Sequence, residues 1–202
     1  MLNEMMRLVR AGQLEGYYGV NVTQELRKAL EFANGVRGGH VLVIGSSKPW
    51  VEAVALVAGA KSVVTLEYGE IRTSHPDIAT LTPVQFRERF ISGKLGLFDA
   101  IISFSSVEHS GLGRYGDALN PWGDVLEIAR AHCVCKPFGS LIIGVPTSDS
   151  HDTLVFNAHR VYGNIRWPYL ATNWQLVYRQ AATVSPDSWD QRIHIFMKIE
   201  RA

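Results

Sequence analysis

Four short apolar runs constrain this chain more than any other feature: His40-Val41-Leu42-Val43-Ile44-Gly45, Ser62-Val63-Val64-Thr65-Leu66-Glu67, Phe98-Asp99-Ala100-Ile101-Ile102-Ser103-Phe104, and Ser140 to Val145. They are too short for helices, and their apolar residues are continuous rather than alternating, as expected of parallel strands covered on both faces. Helical segments separate them. Thr23 to Phe32 sets Leu26, Ala29 and Leu30 at helical spacing and stops at Gly35 and Gly38-Gly39. Trp50 to Gly59 follows the polar turn Ser46-Ser47-Lys48-Pro49, and Pro49 suits a first helical turn. A weaker strand is predicted over Ile78 to Leu81, and helices over Pro83 to Ile91 and Asp124 to Cys133. Lys136-Pro137-Phe138-Gly139 reads as a turn. Strands alternating with helices imply a parallel sheet with right-handed crossovers. The tail differs. Trp174 to Gln180 and Arg192 to Glu200 read as strands, and Thr183 to Gln191 between them is too short for a crossover helix, so they form an antiparallel hairpin. The expected fold class is α/β: a doubly wound, mostly parallel sheet with a C-terminal antiparallel hairpin. It fills one domain over residues 1–202, with 1–21 as an N-terminal extension.

Composition narrows the function. Lys plus Arg number 20 against 19 Asp plus Glu, a formal charge of +1, so no broad positive field points to nucleic acid or an anionic membrane. No stretch of roughly 18 uncharged apolar residues occurs, and the first residues lack the apolar run of a secretory signal. The expectation is a cytoplasmic protein whose partner is a small molecule. Cys133 and Cys135, two residues apart, suit neither a zinc cage nor a disulfide and read as buried or half-buried thiols.

Several residues carry a family resemblance. Val41-Leu42-Val43-Ile44-Gly45 resembles the first strand and glycine of class I S-adenosylmethionine-dependent methyltransferases. Glu67 stands where those enzymes hold the cofactor ribose. Phe98 to His109 looks like their fourth strand, and Cys135-Lys136-Pro137-Phe138-Gly139-Ser140-Leu141 like the turn before their fifth. In element order the likeness runs over roughly residues 20 to 200. His109-Ser110-Gly111-Leu112-Gly113-Arg114-Tyr115-Gly116-Asp117, with Phe156-Asn157-Ala158-His159-Arg160, is similar to a methyltransferase-like family of unknown function. The resemblance implies a Rossmann-like methyltransferase fold with S-adenosylmethionine as cofactor. In place of the wider family's G-x-G-x-G, the chain has Gly45-Ser46-Ser47-Lys48-Pro49. Ser47 and Pro49 there narrow or reshape the space against the cofactor.

The implied cofactor residues are Gly45, Ser46, Ser47, Glu67, Tyr68 and Ser105. A carboxylate at 67 accepts hydrogen bonds from vicinal hydroxyls without offering a donor, or it is a solvated acid after a strand. His109 is the candidate base because imidazole titrates near neutrality, with Glu108 to orient it; alternatively, His109 braces the loop. Arg114, Tyr115 and Asp117, set among three glycines, read as an acceptor-binding loop or as a structured surface turn. Arg114 has the fork for a carboxylate or phosphate, and Asp117 either binds sugar hydroxyls or pairs with Arg114. Asn157, His159 and Arg160 would cover the acceptor side, or form a solvated face. No histidine or cysteine spacing marks a metal site. The functional reading is a methyltransferase acting on a small-molecule or sugar-like acceptor, with a catalytically inactive binding or scaffold protein as the alternative.

Overall fold

The computed structural model describes residues 1–199. Its elements, in chain order, are α1 (Leu2–Ala11), α2 (Gly19–Ala29), β1 (His40–Ile44), α3 (Trp50–Val57), β2 (Ser62–Leu66), β3 (Ile78–Leu81), α4 (Pro83–Ile91), β4 (Phe98–Phe104), α5 (Gly123–Val134), β5 (Cys135–Ser148), β6 (Thr153–Val155), β7 (His159–Val161), α6 (Trp167–Leu170), β8 (Trp174–Arg179) and β9 (Trp189–Lys198). A 3₁₀ turn at Leu30–Phe32 continues α2, and another at Val107–His109 follows β4.

Seven strands form one sheet in the order β3-β2-β1-β4-β5-β9-β8. β3, β2, β1, β4 and β5 run parallel, while β9 is antiparallel to both β5 and β8. The chain builds outward from β1 to β3, then crosses to β4 and builds the other way, so strand order reverses between β1 and β4. Ligands of open α/β sheets bind at such a reversal, beyond the carboxyl ends of the strands.

Alternation along each strand separates two apolar layers. Val41, Val43, Ala100, Ile102, Ile142 and Ile195 face α1, α2 and α3, whereas Leu42, Ile44, Ile101, Leu141, Ile143 and Phe196 face α5 and α6. Burial on both faces is why these strands are apolar throughout. β3 and α4 match their expected bounds, and Thr82 starts α4 with a reciprocal capping box through Gln85, backed by Pro83 in the first turn.

Four expectations change. The segment taken as an N-terminal extension contains α1, which packs on α3 and buries Val9. Lys136 to Gly139 is not a free turn: β5 begins at Cys135 and passes through it as a bulge opposite Asp99, with Phe138 at φ 59°. Lys136 Nζ lies 2.7 Å from the Asp99 carboxylate there. Thr153–Val155 and His159–Val161 pair as a separate hairpin that sequence periodicity did not suggest. β9 starts at Trp189 rather than Arg192, and Glu200, its expected last residue, lies outside the described residues. Among the described residues no helix is long and apolar enough to cross a membrane.

Candidate active site

The turn after β1 is shaped by one close approach. Gly45 adopts φ 74°, and a Cβ there would sit 2.0 Å from Ser106 Oγ, so the β1 and β4 tips meet only because position 45 has no side chain. The Gly45 N–H donates to the Leu66 carbonyl at 2.9 Å, tying β1 to β2. Ser46 is buried over Glu52 of α3. Glu52 Oε2 lies 2.8 Å from Ser46 Oγ, and Oε1 accepts from Thr65 Oγ1 at 2.7 Å, while Ser46 Oγ donates to the Lys48 carbonyl at 2.9 Å. One hydroxyl hydrogen cannot serve both Lys48 and Glu52. A protonated Glu52, donating to Ser46, satisfies the whole set. Burial favours that protonated form, pushing the Glu52 carboxyl up to about 7.

At the end of β2, Glu67 is half-buried. Among the described residues its carboxylate takes one bond, from the Tyr68 N–H at 2.7 Å. At the end of β4, Ser105 holds φ 50°, a strained conformation for a side-chain-bearing residue. Its N–H donates to the Gly144 carbonyl at 2.8 Å, and its hydroxyl to Glu108 Oε1 at 2.7 Å. Burial pushes Glu108 up to about 7 as well.

His109 is half-buried on the cleft wall, and burial lowers its pKa below the usual imidazole value. Its Nδ1 lies 2.5 Å from the Ala158 carbonyl oxygen. A carbonyl only accepts, so Nδ1 carries the proton and neutral Nε2 keeps its lone pair, 3.7 Å from Glu108 Oε1. The Tyr115 ring stands edge-on to the imidazole at 5.6 Å, and the Arg114 guanidinium lies 5.7 Å from the centre of that tyrosine ring.

These tips open into one cleft of about 1090 Å³. Gly45, Ser46, Ser47, Glu67, Tyr68, Ser105, His109, Tyr115 and Asp117 line it together. Asp117 neither pairs with Arg114 nor stands free: its carboxylate accepts from the Gly111 N–H at 2.6 Å and the Tyr115 N–H at 3.3 Å, stapling the loop. Arg114 is exposed and is not among the residues that line the cleft. Glu108 lies behind the wall, and Asn157 is exposed on the β6–β7 turn at φ 54°. The His159 ring is 6.4 Å from that of His109 and 5.6 Å from Trp189. Arg160, expected over the acceptor, is instead 1% exposed and spends its guanidinium on main-chain carbonyls. A charged side chain in a loop can turn inward or outward, and nothing in its sequence neighbourhood shows which. Cys133, read as buried or half-buried, is exposed on the cleft wall, while Cys135 is buried and its thiol is pushed up to about 11.

Sequence reasoning passed over four side chains here. Tyr17 and Tyr18 line the cleft from the segment between α1 and α2, with the Tyr17 hydroxyl 2.9 Å from Ser47 Oγ and Tyr18 beside Ser105. The paired tyrosines between Gly16 and Gly19 were the available signal. Glu127 of α5 lines the cleft in a hydrogen bond from Ser110. Glu52, a lone acid in an apolar helix, offered no signal.

The model of one protein family matches residues 38–195. The chain belongs to the DUF268 family. That family is described as a Caenorhabditis protein of unknown function. No curated protein matches the sequence. Among solved structures, this DUF268 chain superposes on the N-methyltransferase NodS from Bradyrhizobium japonicum WM9 with a TM-score of 0.60 and 14% identity, over 89% of this chain and 96% of that one. NodS in complex with S-adenosyl-L-homocysteine gives 0.58 and 16%, over 89% and 87%. An S-adenosylmethionine-dependent methyltransferase from Mesorhizobium loti gives 0.57 and 10%, over 87% and 96%. The DUF268 chain also spans 65% of a candidate hemolysin from Streptococcus thermophilus, with a TM-score of 0.58 and 13% identity over 87% of this chain. At these identities the likeness establishes the methyltransferase-like fold.

Proposed function

We propose that this protein is an S-adenosylmethionine-dependent methyltransferase acting on a small-molecule or sugar-like acceptor. The observation that carries the reading is the convergence of Gly45, Glu67 and the Ser105–Asp117 loop on one cleft where strand order reverses. The residues present fit the cofactor. Glu67 has carboxylate capacity left for ribose hydroxyls, and Ile44, Leu66 and Phe86 supply apolar walls for a flat ring. Gly45, Ser46, Ser47, Tyr68 and Ser105 complete the cofactor side. When bound, the cofactor supplies an electrophilic methyl group; orientation of the acceptor then provides much of the acceleration.

This chain's own contribution on the acceptor side centres on His109. Its Nε2 accepts the acceptor's proton, and an ionised Glu108 3.7 Å away stabilises the imidazolium that results. Tyr115 on the cleft wall, with Arg114 beside its ring, orients the acceptor, while Asp117 holds the loop in shape. Asn157 and His159 act from the hairpin behind. A small-molecule partner and a cytoplasmic location accompany this reading, the latter in keeping with two free thiols.

A second reading has its own support. Ser47 and Pro49 replace glycines in the β1–α3 turn, and Tyr17 occupies the Ser47 hydroxyl, which favours a chain that binds ligand without transferring a methyl group. Titration calorimetry tests the ligand binding that both readings require. Saturable binding of S-adenosylmethionine and S-adenosyl-L-homocysteine, weakened about tenfold or more in Glu67→Ala by loss of a charge-assisted pair, is expected. Isotope-labelled methyl transfer to a panel of alcohols, sugars and amines then distinguishes an enzyme from a binding protein. No binding by folded wild-type protein at millimolar ligand rejects both.

A further inference from the structure

Arg160 is almost fully buried in β7, yet among the described residues it has no side-chain partner at hydrogen-bonding distance. Its Nη1 donates to the carbonyls of Ser110 at 2.7 Å and Glu108 at 3.4 Å. Its Nη2 reaches those of Asn120 at 3.5 Å and Pro121 at 3.4 Å. These carbonyls belong to the two ends of the segment that carries His109, Arg114, Tyr115 and Asp117. Asp124, wholly buried at the start of α5, supplies the countercharge at 3.6 Å from Arg160 Nε. One planar fork therefore joins three pieces of chain: the 3₁₀ turn after β4, the approach to α5, and the β6–β7 hairpin.

The hairpin has a second connection to the same place. Its turn presents the Ala158 carbonyl to His109 Nδ1, and Ala158 lies two residues before Arg160. The Ala158 N–H donates to the Val155 carbonyl at 3.0 Å, which closes the hairpin turn that carries it. The other groups around the ring do not decide its proton. Glu108 lies 3.7 Å from Nε2, the charges of Arg114 and Arg160 disfavour the imidazolium without selecting a nitrogen, and Tyr115 and His159 stand edge-on to the ring.

We infer that Arg160 is a positioning residue: by clamping the β6–β7 hairpin onto the chain around the 3₁₀ turn, it holds the Ala158 carbonyl on His109 Nδ1 and so keeps Nε2 as the unprotonated nitrogen. The hairpin is thus part of the catalytic apparatus without touching the acceptor. This rests on the proposed role of His109 as base. A misplaced carbonyl lets the proton move to Nε2, and the imidazole then has no lone pair where the reaction needs one.

The test is nitrogen NMR of protein labelled with ¹⁵N-histidine, with the His109 signals assigned by a His109→Gln variant. In wild type above the imidazole titration, the proton resides on Nδ1. In Arg160→Met, and to a smaller degree in Arg160→Lys, which keeps a cation beside Asp124, the proton is shared between both nitrogens. S-adenosyl-L-homocysteine binding stays within about threefold of wild type while kcat falls roughly 10- to 100-fold, the range expected from misplacing a catalytic group. Wild-type protein with the proton on Nε2 overturns the inference without any variant. So does an unchanged tautomer in folded Arg160→Lys or Arg160→Met, which would leave Arg160 a purely structural residue. Absence of cofactor binding or of turnover would instead strike the methyltransferase reading, since the NMR result is independent of both.

Discussion

Glu52 shows how a single side chain can tie stability to pH. It is 1% exposed between Ser46 and Thr65, and the nearby charge of Glu67 is of like sign. Its folded pKa of about 7 exceeds the ordinary value of 4.5, so the folded state holds the proton more tightly than the unfolded chain does. The stabilisation is therefore complete below the ordinary value and is lost as pH rises through about 7. A shift of this size corresponds to on the order of 3 kcal/mol. Glu108 contributes in the same direction over the same window. In Glu52→Gln, whose amide replaces the protonated acid, urea-unfolding free energies measured from pH 4.5 to 8 should fall less steeply than in wild type. Superimposable slopes would show that Glu52 is ionised in the folded protein. Gly45 and Glu67 were legible because each ends an apolar strand, and strand ends fix where a side chain points. Glu52 was not, because an acid within Trp50-Val51-Glu52-Ala53-Val54 has the same sequence appearance whether it faces water or a buried pair of hydroxyls.

Among elements, α5 and the β6–β7 hairpin depend on one buried carboxylate. Asp124 accepts from Arg166 Nε at 2.7 Å and Nη2 at 2.6 Å and from the Tyr162 hydroxyl at 3.0 Å, with Arg160 adjacent. Asp124→Ala leaves a fully buried guanidinium without its countercharge and should cost about 3–5 kcal/mol, measured by chemical denaturation. A loss below about 1 kcal/mol would mean that main-chain carbonyls alone suffice for Arg160. The parallel strands could be read from sequence because burial on both faces makes them continuously apolar. The hairpin could not: its strands have three residues each, and Leu154, Val155 and Phe156 are exposed, so neither alternation nor burial marks them. The bulge in β5 was hidden by its own chemistry, because Pro137 and Gly139 signal a turn whether the chain reverses or only buckles.

Across the whole molecule, the cleft lies where both apolar layers and both halves of the sheet end, so a ligand seated there stabilises the fold as one unit. On the proposed function, S-adenosyl-L-homocysteine at about 100 times its Kd adds roughly 2.7 kcal/mol. For a chain of this size that raises Tm by roughly 5–10 °C, a gain that differential scanning fluorimetry should find cut to about half or less in Glu67→Ala at the same ligand concentration. An equal shift in that variant would place the ligand elsewhere.

β5 has a further consequence for how the molecule is made. It sits inside the sheet, yet one of its two neighbours is β9, paired from Ser140 with Met197 to Ser148 with Trp189. While the polypeptide emerges from the ribosome, the five parallel strands can associate with β5 still presenting a bare, apolar flank. That flank stays open to other nascent chains until some fifty more residues have been synthesised. The time taken to synthesise the stretch between β5 and β9 therefore sets how long that flank is open to aggregation.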